Sequence, residues 1–151
     1  MKGMTMAQRR TVEILLVDDN IGDVVLTKEA LESACVGNHV SIARDGVEAL
    51  DFLRRMGDFA TAPKPQLVLL DLNMPRKNGC EVLAEIRDDA ELRLIPVVIL
   101  SSSDAEGDIR RAYELGANCY VTKPADFDEM VIAIEAINHF WNGIAKLPLG
   151  C

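Results

Sequence analysis

The sequence predicts an α/β domain of five successive strand–helix units, a doubly wound parallel sheet covered by helices on both faces. Three observations predict it. Short runs of almost wholly apolar residues alternate with longer segments whose apolar positions recur at helical spacing. Most of those runs are too uniformly apolar to have a solvated face, which places them in a parallel sheet buried on both sides. One run, the second, instead alternates apolar and polar residues, as an edge strand does. The order 2-1-3-4-5 puts that strand at an edge. It also makes strands one and three the topological switch point, with the ligand crevice at the carboxyl ends of the strands.

Residues 12–17 (VEILLV) form the first strand. Residues 23–34 follow as a helix, with Val24, Val25, Leu26, Ala30, Leu31 and Ala34 at helical spacing and Gly37-Asn38 as its stop. Residues 39–43 are the alternating strand, Val40 and Ile42 on one side, and residues 46–56 the second helix. The proline-bearing stretch 61–65 is a loop inside the domain, not a boundary. Residues 67–70 are a wholly apolar strand, 79–88 the third helix, 96–100 (PVVIL) a buried strand and 105–115 the fourth helix, closed by Gly116. Residues 119–121 are the fifth strand and 126–141 the last helix, capped by Asp126. The expected organisation is a disordered start over residues 1–11, one domain over 12–141 and a tail over 142–151.

The bulk properties agree with a single domain. The chain has 151 residues, 49% hydrophobic and 26% charged, which excludes global disorder and leaves no room for a separate output module. The net charge of −8 repels phosphate backbones and anionic membrane surfaces, so no direct nucleic-acid or membrane partner is expected. No apolar run approaches the roughly 20 residues of a bilayer span, and the start lacks the apolar core of a signal peptide. The expected location is the cytoplasm. Cys35, Cys80, Cys119 and Cys151 show no C-x-x-C spacing and stand apart from His39 and His139, so reduced thiols are expected rather than a zinc site or disulfide framework.

Function concentrates at the strand ends. Strand one ends in Asp18-Asp19-Asn20, strand three in Asp71-Leu72-Asn73-Met74-Pro75, strand four in Ser101-Ser102-Ser103, and strand five runs through Tyr120 into Lys123-Pro124. Like unit charges about 4 Å apart cost about 4 kcal/mol at an effective dielectric of about 20, so three gathered carboxylates need a cation. A divalent ion with oxygen ligands, Mg²⁺ above all, suits them, and Lys123 adds a fixed positive charge. The set suits phosphoryl transfer to a carboxylate. Ser102 and Ser103 have no histidine nearby in sequence to make either a nucleophile. The plainer readings are helix capping for Asp18 and Asp19, a turn role for Asp71, strand-end hydrogen bonding for Ser101 and core packing for Tyr120.

VDDN at 17–20, DLNMP at 71–75, Ser101 after PVVIL and YVTKP at 120–124 together resemble the receiver domain of two-component response regulators, over residues 12–141. The resemblance implies the flavodoxin-like receiver fold. It makes Asp71 the phosphoacceptor and Asp19 the direct Mg²⁺ ligand. Asp18 stands beside the ion, directly or through water, and Asn73 offers its backbone carbonyl. Lys123 would pair with Asp71 and then with its phosphoryl group, Ser101 is the switch hydroxyl and Tyr120 the aromatic that follows it. Pro124 occupies a position where the family often has a cis peptide bond. The chain is then a phosphoacceptor from a histidine kinase rather than an enzyme, although able to catalyse its own phosphorylation and dephosphorylation. The stretch 61–65, GANCYVTKP at 116–124 and His139-Phe140-Trp141 are further similar to single-domain regulators that partner phytochrome-type kinases.

Other classes fit less well. A dehalogenase-type phosphatase needs a second aspartate two residues after the first, where this chain has Asn73. A flavin carrier would set its phosphate against Asp18 and Asp19. A receiver fold that binds partners without phosphorylation is the remaining alternative. In the last helix, Val131, Ile134 and Ile137 can face the sheet, while Ile132, Ala136, Phe140 and Trp141 widen the apolar surface. That excess predicts a homodimer through the fourth helix, fifth strand and fifth helix, switching towards a downstream protein, unless the tail with Leu147-Pro148-Leu149 folds back over it.

Overall fold

The computed structural model describes residues 12–34 and 37–148. Five strands, β1 (Val12–Val17), β2 (Asn38–Ala43), β3 (Leu67–Leu70), β4 (Val97–Ser101) and β5 (Cys119–Thr122), pair in the order β2-β1-β3-β4-β5 and are all parallel. The helices are α1 (Ile21–Ala34), α2 (Gly46–Arg54), α3 (Gly79–Arg87), α4 (Glu106–Glu114) and α5 (Phe127–Asn138). The predicted architecture is the observed one. The start 1–11, Cys35, Leu149 and Cys151 lie outside the described residues, as does any disorder expected of them.

Strand alternation divides the core into two layers. Leu15, Val17, Val68, Leu70, Val97 and Ile99 pack with Leu50, Leu53, Val82, Leu83, Ile86 and Ala112 from α2, α3 and α4. On the other face, Ile14, Leu16, Leu69, Val98 and Leu100 pack with Val24 and Leu31 of α1 and Met130, Ile134 and Ile137 of α5. The three inner strands are buried along almost their whole length, whereas β2 alternates and β5 is half-buried, as the two edges require.

Caps set the helix starts. Asp45, Asn78 and Asp126 each accept a hydrogen bond from the backbone N–H three residues on, and Asn78 and Glu81 form a reciprocal capping box. Asn20 does the same for α1, its Oδ1 accepting from Asp23 N–H at 3.0 Å, so that helix begins at Ile21 rather than Asp23. The second helix stops at Arg54, not Met56, because Arg55 turns left-handed (φ 57°) and its N–H closes back on Asp51 and Phe52. The fifth strand extends to Thr122, paired with Ser101.

The last helix departs most from expectation. Regular α-helix ends at Asn138 and a π-helical turn, His139–Ile144, follows. The buried Asn38 side chain fastens that turn. Its amide donates to Leu31 O and Asn138 Oδ1, and its Oδ1 accepts from Asn142 Nδ2 at 2.9 Å. The turn lays Trp141 against the α1–α5 layer of the core, and Leu147 follows it there. Ile132 and Phe140 stay 64% and 47% exposed, so the described part of the tail leaves them uncovered. Among the described residues no helix is long and apolar enough to cross a membrane.

Candidate functional site

Parallel pairing brings the ends of β1, β3, β4 and β5 to one edge of the sheet. Asp18 follows β1, fixed by its N–H to Ala43 O at 3.1 Å, and Asp71 follows β3, fixed by its N–H to Val17 O at 2.9 Å. Lys123 follows β5, its N–H bonded to Ser101 O at 2.7 Å. The start of α3 closes over Asp71. Gly79 N–H donates to Leu72 O, and a Cβ on residue 79 would lie 2.3 Å from Asp71 O, so glycine is required for that approach.

The apolar strands therefore deliver charged groups into a mostly buried crevice. Asp18 is 1% and Asp71 7% exposed. Asp19 is exposed at the mouth. Oxygen atoms of Asp18, Asp19 and Asp71 lie within 4.8 Å of one another, an all-oxygen donor set that fits a hard divalent cation. The Lys123 ammonium stands 2.7 Å from Asp18 Oδ2, 2.9 Å from Asp23 Oδ2 and 3.7 Å from Asp71 Oδ2. Two backbone N–H groups brace the acids: Asn20 donates to Asp18 Oδ1 at 2.9 Å and Asn73 to Asp71 Oδ1 at 3.4 Å.

Burial pushes the Asp71 carboxyl up to about 6; the Lys123 charge opposes the rise and the Asp18 charge adds to it. Burial also works against the Lys123 ammonium, but hydrogen bonds to Asp18 and Asp23 and the charge of Asp71 outweigh it and raise its pKa. One fixed cation thus faces three carboxylates.

Ser101 and Tyr120 meet at a shared neighbour. The fully buried Ser101 Oγ accepts from Ser103 N–H at 3.2 Å, and the Tyr120 hydroxyl donates to Ser103 O at 2.7 Å. Ser103 Oγ in turn donates to Asp108 in the first turn of α4. Tyr120 is half-buried against the α2–α4 layer. The Lys123–Pro124 peptide bond is trans, as is every other one among the described residues. Ile132, Ala136 and Phe140 form an exposed stripe at four-residue spacing along α5 and its extension, whereas Trp141, expected beside them, is half-buried on the core and meets Phe140 edge-on.

Sequence reasoning missed Asp23, which pairs with Lys123, and the junction at Ser103. Asp23 was legible only as an acid in a helix's first turn. The one available signal was its place about a helical turn beyond Asp19, at the start of the helix that follows the switch-point loop.

A family model for the response regulator receiver domain matches residues 14–135. Response regulator Rcp1 from a Synechocystis strain is 42% identical over 135 residues, covering 89% of this chain and 92% of that protein. Among solved structures, the phosphorylated cyanobacterial phytochrome response regulator RcpA superposes with a TM-score of 0.88 at 46% identity, covering 91% of this chain and 99% of that one. The Mn²⁺-bound form of Rcp1 gives a TM-score of 0.87 at 40% identity, with the same coverage.

Proposed function

The chain belongs to the response regulator receiver family, and from that premise we propose that it takes a phosphoryl group from a histidine kinase onto Asp71. The observation that carries this reading is the crevice itself: a buried strand-end carboxylate with a lysine ammonium 3.7 Å away and two further acids beside it. One Asp71 oxygen attacks phosphorus, and the bond from phosphorus to the kinase histidine nitrogen breaks with its electron pair leaving on that nitrogen. Lys123 then pairs with the phosphoryl group, and the Ser101 hydroxyl turns towards one of its oxygens. That turn draws on Ser103, and through Ser103 on Tyr120 and the start of α4.

Asp18, Asp19, Asp71 and the Asn73 carbonyl would hold the metal, and Mg²⁺ is the physiological ion in this reading. When bound it neutralises charge on the transferring group. The Mn²⁺-bound Rcp1 supports a divalent ion in this kind of crevice. The phosphorylated RcpA, a phytochrome response regulator, supports both the phosphoryl chemistry and a phytochrome-type kinase as partner. The chain acts in the cytoplasm and catalyses only its own phosphorylation and dephosphorylation.

The signal leaves through the surface of α4, β5 and α5. Ile132, Ala136 and Phe140 supply the apolar stripe of a homodimer, with Trp141 supporting Phe140 from behind, and a downstream protein reads the switched surface. Ile132→Ala with Phe140→Ala is expected to yield a monomer by light scattering; an unchanged mass contradicts the interface. The phosphoryl reading is tested with an autophosphorylated phytochrome-type kinase carrying labelled phosphate. Label is expected on the wild type and not on Asp71→Asn. Equal label on both contradicts Asp71 as acceptor.

A further inference from the structure

We infer that Asp23 is a positioning residue that holds the Lys123 ammonium against Asp18 and off the Asp71 carboxylate. The inference rests on the phosphoacceptor reading of Asp71. Three distances carry it: Lys123 Nζ is 2.7 Å from Asp18, 2.9 Å from Asp23 and 3.7 Å from Asp71. The first two are charge-assisted hydrogen bonds, and the third lies beyond hydrogen-bond range. The Lys123 side chain is 8% exposed, so its ammonium has little recourse to solvent and takes its partners from these carboxylates.

Asp23 is well placed to hold it. The residue stands in the first turn of α1, with its N–H fixed by the Asn20 side chain at 3.0 Å. A carboxylate there also faces the favourable end of the helix dipole. Its side chain is 34% exposed, against 2% for that of Asp18, so it meets the ammonium at the rim of the crevice. Asp18 and Asp23 therefore grip the ammonium from β1 and α1 while its backbone is tied to Ser101 O at the end of β4.

The consequence is chemical. If Asp23 loses its charge, Asp18 and Asp71 become the two carboxylates left to Lys123. The ammonium then closes the gap to Asp71 and donates to the oxygen that must attack. A charge-assisted hydrogen bond of that kind ties up the lone pair that forms the new bond to phosphorus. Asp23 thus keeps the acceptor oxygen unencumbered at rest, yet leaves the ammonium less than 1 Å of travel from hydrogen-bond range of the site (3.7 Å against about 3.2 Å).

The test uses the full chain with Mg²⁺ and acetyl phosphate, phosphate uptake being read by intact mass. In that reaction an Asp71 oxygen bonds to phosphorus as the phosphorus–oxygen bond to acetate breaks, and acetate leaves with the electron pair. Asp23→Asn is expected to lower the maximal uptake rate about fivefold with the half-saturating acetyl phosphate concentration unchanged, and Asp23→Glu to restore most of it. In a Lys123→Ala background the same substitution is expected to change the rate less than about twofold, because the group it acts through is gone. An Asp23→Asn rate equal to wild type, or an equal loss in both backgrounds, overturns the inference. A second arm is independent of phosphorylation: a metal-free crystal structure of Asp23→Asn. Lys123 Nζ within about 3.2 Å of Asp71 supports the inference, and an ammonium left at its resting distance overturns it. A wild type that takes up no phosphate overturns the proposed function instead, and the crystal arm still decides the role of Asp23.

Discussion

At the carboxyl ends of the strands, the Lys123 ammonium is shared among Asp18, Asp23 and Asp71. At the amino ends, the Arg87 guanidinium donates to Arg93 O, Ile95 O, Gly116 O and Asn118 Oδ1, all between 2.8 and 3.0 Å. Both are partly buried cations, but they are satisfied in different currencies. Arg87 has no carboxylate among these partners. It fills its hydrogen bonds with neutral groups that cannot titrate or bind an ion, and burial draws its pKa down. Asn118 extends the clamp, its Oδ1 also accepting from Val97 N–H. Gly116 is built around it, with φ 105° and a position where a Cβ would stand 2.9 Å from the Arg87 side chain. That end fixes α3, β4 and β5 in place. The crevice end keeps an excess of negative charge that only an arriving cation can balance.

The contrast teaches that one sheet can be finished at one end and incomplete at the other. Removing the finished end should cost most. Arg87→Ala leaves the carbonyls of Arg93, Ile95 and Gly116 and the Asn118 side chain short of donors, and is expected to destabilise the domain by about 3 kcal/mol in urea unfolding. A loss below about 1 kcal/mol would mean that solvent replaces the clamp, and the comparison would fail at that end.

The incomplete end should respond with the opposite sign. The Asp71 pKa in the fold, about 6, lies above its ordinary value of 3.8. Between those values the folded chain binds more protons at this site than the unfolded chain, so the site's contribution to stability falls as pH rises through that window. The destabilisation is fully developed at pH 7 and gone below about pH 4. Metal-free Asp71→Asn is therefore expected to be more stable than wild type at pH 7, by about 2 kcal/mol, with the gap closing on acidification. Saturating Mg²⁺ should narrow the gap at pH 7 by stabilising the wild type. Thermal unfolding of both proteins from pH 4 to 8, with and without the ion, measures this; an Asp71→Asn variant less stable than wild type at pH 7 would contradict it.

How far each end was legible follows from the same contrast. The buried strands announce themselves because uniform apolarity in runs this short has few other uses, and the strand order follows from the one strand that breaks that uniformity. Asp18, Asp19, Asp71 and Lys123 stand out because charges do not ordinarily close apolar strands. Arg87 gave no such signal. Its partners at 93, 95, 116 and 118 are mostly backbone carbonyls, which every residue has, so only the fold selects them. Asp23 was hidden because a helix's first turn explains an acid locally, and its pairing with Lys123 spans 100 residues. The π-turn after Asn138 depends on the buried Asn38 amide, which local periodicity cannot register. Helical spacing alone therefore set Trp141 beside Phe140 on the surface, whereas the turn rotates it onto the core.

The most direct test of the central claim, that the unbalanced crevice exists to accept a phosphoryl group on Asp71, is intact-mass analysis after incubation with acetyl phosphate. The wild type is expected to gain one phosphoryl group that depends on Mg²⁺, is prevented by chelation before the donor is added, is labile to base and is absent from Asp71→Asn. A wild type that stays unmodified with Mg²⁺ present, or an Asp71→Asn variant that gains the same mass, would contradict it.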